Sequence, residues 1–256
     1  MKLRSRAAAL AAALVVVLGI AGCTDDVAVK PQADVKKPVA NQKAAKPLAR
    51  LTTATFAPVT AAAYAKVTSW SGVMRISAGG QTVTATITQT YRPTKTRVDL
   101  SSPQLGGAAH GILVDGVLYL HLPIAELHGK YLKLDPKRSK EPAAVLFAQL
   151  MDSADSSKSM NAMGKAIVKV KYAGHDTIGF RRVEKYDVTM NNAAMFRVLG
   201  LKLPAGAPKT SSQSMWLGND RLTYKTTAGG TQVTVTGYNS VAPITAPSAR
   251  MIAKTG

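Results

Sequence analysis

Gln81-Thr82-Val83-Thr84-Ala85-Thr86-Ile87-Thr88-Gln89-Thr90-Tyr91 carries threonine at every even position from 82 to 90, while Val83, Ala85 and Ile87 occupy odd ones and Gln89 and Tyr91 continue them. Successive side chains of a strand point to opposite faces, so this alternation describes a strand with one wet face and one dry face. The comb recurs more weakly near the C-terminus, where Val233 and Val235 alternate with Thr234 and Thr236.

Outward from the comb, tight-turn dipeptides punctuate the chain. Gly79-Gly80 joins residues 71–78 to the comb, Asp115-Gly116 joins 111–114 to 117–122, and Gly229-Gly230 joins 222–227 to 231–238. A looser turn at Gly218-Asn219-Asp220 links the stretch through Met215 and Leu217 to Leu222. Further strands are expected at 95–101, 130–134, 166–172 and 182–190. Turns this short connect antiparallel neighbours, so the strands form an antiparallel meander. Helices are expected at Pro58 to Val67, at Pro142 to Ala154, where Val145, Leu146, Gln149 and Leu150 fall at helical spacing, and at Asn191 to Leu199. The order of elements gives an α+β fold: a curved, unclosed antiparallel sheet with helices gathered on its concave face.

The N-terminus is of another kind. Lys2, Arg4 and Arg6 precede an uncharged apolar run from Ala7 to Ile20, and Ile20-Ala21-Gly22-Cys23 ends it with small residues before a cysteine. This resembles the lipobox of bacterial lipoproteins, with isoleucine where leucine is usual. The resemblance implies a signal peptide over 1–22, removed on export, and a diacylglyceryl group on Cys23. An apolar run of about 14 residues is too short to span a bilayer as a helix, for which about 20 are needed. Cys23 is the only cysteine in the 256 residues, so no disulfide partner competes for it. From there to residue 51 the chain is rich in Ala, Lys and Pro, the composition of an extended tether, and 52–256 is left as the folded domain.

The formal charge of +19 falls to +16 once Lys2, Arg4 and Arg6 are gone. An exported protein of that charge is drawn toward anionic headgroups or acidic wall polymers, and no aromatic-plus-basic module for nucleic acid is visible. Scattered lysines that only confer solubility would give the same count.

From residue 57 onward the chain resembles the LppX/LprAFG group of actinobacterial cell-envelope lipoproteins, which share the half-barrel of the LolA and LolB carriers. The residues behind the likeness are Asp115-Gly116-Val117-Leu118-Tyr119, the lysine-flanked strand through Tyr131, Met215-Trp216-Leu217 with Asn219-Asp220-Arg221-Leu222, and the closing Pro243-Ile244-Thr245-Ala246-Pro247. The likeness implies that acyl chains of a lipid or glycolipid lie between the sheet and its helices. A lining would come from the dry faces: Val83, Ala85, Ile87, Val98, Leu100, Leu118, Leu120, Val233 and Val235, with Val145, Leu146 and Leu150 on the covering helix. The same alternation would equally build a closed core.

No catalytic constellation stands out. There is no Gly-x-Ser-x-Gly elbow and no phosphate loop, and the acidic residues are scattered. His121, Glu126 and His128 match no zinc signature, so they are expected to be surface residues, and His110 and His175 lack ligand-like neighbours in sequence. Trp70, Trp216 and Tyr238 could stack on a sugar but suit core or edge positions better. The expectation is a lipid-anchored, non-enzymatic protein on the extracytoplasmic face of the cell membrane, without cofactor or metal. The alternative is a sensor or scaffold that binds another envelope protein and carries no lipid.

Overall fold

The computed structural model describes residues 49–78, 80–91, 94–102, 107–123, 125–135, 162–198, 202–203 and 206–253. The signal peptide, Cys23, nearly all of the tether, and the helix expected at Pro142 to Ala154 with Val145, Leu146 and Leu150 lie outside the described residues.

Helix α1 (Thr53–Tyr64) opens the domain. It starts five residues before the expected Pro58, because Thr52 and Thr55 form a reciprocal cap: the Thr55 amide donates to Thr52 Oγ1 at 3.3 Å and the Thr52 amide to Thr55 Oγ1 at 2.9 Å. Pro58 therefore sits within the second turn, where it has no N–H to return to the Ala54 carbonyl. The helix buries Phe56 and Thr60 completely, and Phe56 meets Tyr186 edge-on with ring centroids 5.6 Å apart.

The strands are β1 (Ser69–Ala78), β2 (Gln81–Thr90), β3 (Lys95–Ser102), β4 (Gly107–Val114), β5 (Val117–His121), β6 (Leu132–Leu134), β7 (Ile167–Ile178), β8 (Arg181–Asn191), β9 (Thr210–Leu217), β10 (Thr223–Ala228) and β11 (Thr231–Tyr238). Helix α2 (Asn192–Val198) separates β8 from β9. All eleven strands belong to one open sheet ordered β6-β5-β4-β3-β2-β1-β11-β10-β9-β8-β7, antiparallel at every pairing. Two meanders run outward from the middle, and the pairing of β1 with β11 joins them.

Turn chemistry accounts for the hairpins. Asp115 and Gly116 take φ 53° and 76°, and Gly229 and Gly230 take 49° and 78°, as two-residue turns between twisted strands require. One hairpin was not expected. Strand β7 runs six residues past the expected end at Tyr172, through a bulge between Tyr172 and Gly174, and turns at Gly179-Phe180 with Gly179 at φ 59°. Gly-Phe is a less familiar turn pair than Asn-Gly, but glycine stands where the positive φ is needed.

The comb becomes β2, with Ala85 and Gln89 buried on the dry side. On the opposite face of β4 and β5, the C-terminal segment crosses Ile112, Val114 and Tyr119 by way of Ile244. It then runs alongside Tyr131, whose amide donates to the Met251 carbonyl at 2.8 Å, while the Ala253 amide donates back to the Tyr131 carbonyl at 2.8 Å. The segment thereby extends the sheet beside the β6 edge.

Candidate functional site

Two apolar clusters fill the inner side of the sheet. Under α1, the β7–β9 half gathers Leu51, Phe56, Met163, Tyr186, Val188 and Leu217, with Ala194 and Met195 of α2 packed against them. The β1–β5 half gathers Met74, Ile76, Ala85, Val98, Ala109, Leu118 and Leu120 as a buried floor. Around that floor stand Val83, Ile87, Leu113, Leu122, Leu134 and Val233, apolar but only half-buried.

Of the lining expected from sequence, Val83, Ala85, Ile87, Val98, Leu118, Leu120 and Val233 come together in this one cluster. Register explains the convergence: Ala85 pairs with Leu100 and Ile87 with Val98 across β2–β3, Leu100 pairs with Ala109 across β3–β4, and Leu113 with Leu118 across β4–β5. Leu100 stands between Ala85 and Ala109 in this register. Val235 pairs with Gly72 and lies outside the cluster.

A polar row interrupts the inner face, and the apolar periodicity did not show it. Gln89 is fully buried; its Oε1 accepts from Trp70 Nε1 at 2.9 Å, and its Nε2 donates to Thr96 Oγ1 at 3.1 Å. The three residues are adjacent in the β1–β2–β3 register, Trp70 opposite Gln89 and Gln89 opposite Thr96. Partnered in this way, the amide can be buried without a large desolvation cost, and it bounds the floor with polar atoms.

Asp99, His110 and His121 form a cross-strand row on the outer face, Asp99 opposite His110 and His110 opposite His121. His110 thus has an acidic neighbour after all. Its Nδ1 lies 2.6 Å from Asp99 Oδ1, and Arg97 Nε reaches Asp99 Oδ2 at 3.0 Å. Strand pairing brings together residues 11 apart in sequence. His121 stacks between His110 and Tyr131, with ring centroids 5.4 and 5.5 Å away. Its Nδ1 is buried without a hydrogen-bond partner, and burial, then the neighbouring His110, lowers its pKa below the usual 6.5. Among the described residues, no three His, Cys, Asp or Glu side chains are placed to hold a metal ion.

The aromatic residues considered as sugar platforms are engaged elsewhere. Trp216 is buried; its Nε1 donates to Asp176 Oδ2 at 3.0 Å, and Lys185 and Lys225 place their ammonium groups 5.2 and 4.6 Å from its ring centroid. Tyr238 donates to the Thr223 carbonyl and stacks edge-on against Tyr64 and Tyr224, and burial is the largest cause raising its pKa.

A buried ion pair holds the entry of the chain into the domain. Arg221, at φ 63°, donates through Nη1 to Glu184 Oε2 at 2.6 Å and through Nη2 to the Ala49 carbonyl at 2.6 Å. Glu184 Oε2 also accepts from Tyr186 Oη at 2.6 Å, and Tyr186 Oη accepts from the Leu51 amide at 3.1 Å. Burial, followed by that bond to Glu184, raises the Tyr186 pKa above its usual 10.0.

This is an open antiparallel half-barrel with its helices on one side, and it is a fold already seen among solved structures. The crystal structure of LprF from Mycobacterium bovis matches it with a TM-score of 0.53 over 76% of this chain and 96% of LprF, at 13% sequence identity. LppX from Mycobacterium tuberculosis aligns over 75% of this chain and 98% of its own, with a TM-score of 0.48 and 13% identity. The likeness to LprF is one of fold. No family model matches the sequence, and no curated protein does. Among the described residues, no helix is long and apolar enough to cross a membrane.

Proposed function

We propose that the protein is a membrane-tethered envelope lipoprotein, anchored through Cys23, that binds a lipid or glycolipid by laying its acyl chains on the inner face of β1–β5. One observation supports this most strongly: a buried apolar floor ringed by apolar side chains that keep part of their surface accessible. Covering that ring with an alkyl chain gains about 25 cal/mol for each Å² of apolar surface removed from water. The described helices pack on the other half, α1 mainly on β7 and α2 on β8 and β9. No bond is made or broken in this reading.

Solvent extracts of the full protein purified from its native host, analysed by mass spectrometry, test the proposal. Acylated compounds other than the covalent anchor should be recovered at about one per protein. Protein that yields none and instead crosslinks to a defined envelope protein would replace the carrier with a scaffold.

A further inference from the structure

The β7–β8 hairpin ends in a side chain that touches nothing. Phe180 is 101% exposed, the most exposed large apolar residue among the described residues, at the tip of a two-residue turn between strands of 12 and 11 residues. Two arginines follow at once. Arg181 and Arg182 are both exposed, and the Arg181 guanidinium rests 4.0 Å from the Tyr224 ring centroid, which fixes the base of the turn against β10.

The position of this tip within the fold adds a second argument. Strand β8 begins where β9 ends, Glu184 standing opposite Leu217, so the Phe180 turn lies at the same end of the sheet as the turn holding Arg221. Arg221 grips the Ala49 carbonyl there. The 48 residues preceding Ala49, which carry the leader and Cys23, therefore join the domain at the end that presents Phe180. Carboxylates at that end are occupied within the fold: Asp176 by Trp216 and the Thr177 amide, Asp220 by Tyr224 and the Leu222 amide, and Glu184 by Arg221 and Tyr186. Lys66, exposed at the end of α1 beside Val67, adds another cation, since Val67 packs with Val183 of β8.

We infer that the Gly179–Arg182 tip is a second membrane contact, in which the Phe180 ring enters the headgroup region of an anionic bilayer while Arg182 meets lipid phosphates. An aromatic ring gains at that depth what it forfeits in water, and a guanidinium reaches phosphate from the same level. The contact fixes which end of the domain faces the bilayer. It does not depend on whether the inner face carries a lipid.

The test uses the full chain, held by its leader or by acylated Cys23, in phosphatidylcholine vesicles with and without phosphatidylglycerol. Phe180→Trp adds an indole to the two native ones, Trp70 and Trp216, whose contribution is removed by comparison with the parent protein. In vesicles containing phosphatidylglycerol, the added indole should shift to the blue and be quenched by lipids brominated near the headgroup. Pure phosphatidylcholine, or Arg182→Glu in the same background, should lose both signals. An indole at 180 that stays red and open to iodide beside phosphatidylglycerol would overturn the inference. A blue shift that appears only when other envelope proteins are added would do so too, and would assign the tip to a protein partner.

Discussion

Arg221 shows how much one side chain does in this domain. It holds a left-handed backbone conformation, neutralises Glu184 and anchors the first described residues. Removing one partner of a buried pair leaves the other charged in a poor solvent, a loss of about 3 kcal/mol or more. Arg221→Ala should therefore lower the denaturant midpoint and open the chain near residue 50 to protease, both measurable on the purified protein. His121 makes a prediction of opposite dependence on charge. Its folded pKa lies below 6.5, so the unfolded chain binds the proton more readily; stability is complete above the unfolded value and declines as pH falls through the folded one. Groups facing it are His110, itself bonded to Asp99, and Tyr131. His121→Phe should show a smaller drop in Tm between pH 7 and pH 5 than the parent protein.

Elements were legible in the sequence to the degree that their signals were local. The threonine comb, the Asp115-Gly116 turn and the Gly229-Gly230 turn each carry their meaning within a dozen residues, and the strands they imply are present. Helix α1 was misplaced because Pro58 is a louder signal than a threonine pair, although Thr52 and Thr55 set the start. Thr52→Ala removes one half of that cap and should cost about 1 kcal/mol in urea unfolding. The His110–Asp99 contact and the buried Gln89 row depend on strand register, which no spacing along one strand reveals.

The whole molecule depends on a seam between its halves that the order of hairpins did not disclose. Strand β1 pairs with β11 across more than 150 residues of chain, and two glycines permit the approach. A Cβ on Gly72 would lie 2.9 Å from the Thr234 carbonyl oxygen, and one on Gly230 would lie 2.6 Å from that of Ser77. Gly230 also stands at φ 78°, where an L side chain is strained. Gly230→Ala should therefore destabilise the domain by about 1 kcal/mol or more, seen as a lower Tm.

The seam sets the two inner clusters side by side in one sheet, one under α1 and one carrying the apolar ring. The central claim is that this ring receives an acyl chain, and Ile87 is the place to test it. Leu120 is fully buried, so enlarging it would overpack the strand itself, whereas Ile87 is half-buried on the ring. The decisive measurement is the amount of acylated compound retained by Ile87→Trp relative to the parent, each purified from the native host and verified as folded by circular dichroism. The account predicts that the folded variant comes out nearly empty while the parent holds about one molecule each. Equal retention by both, or none in either, would contradict it.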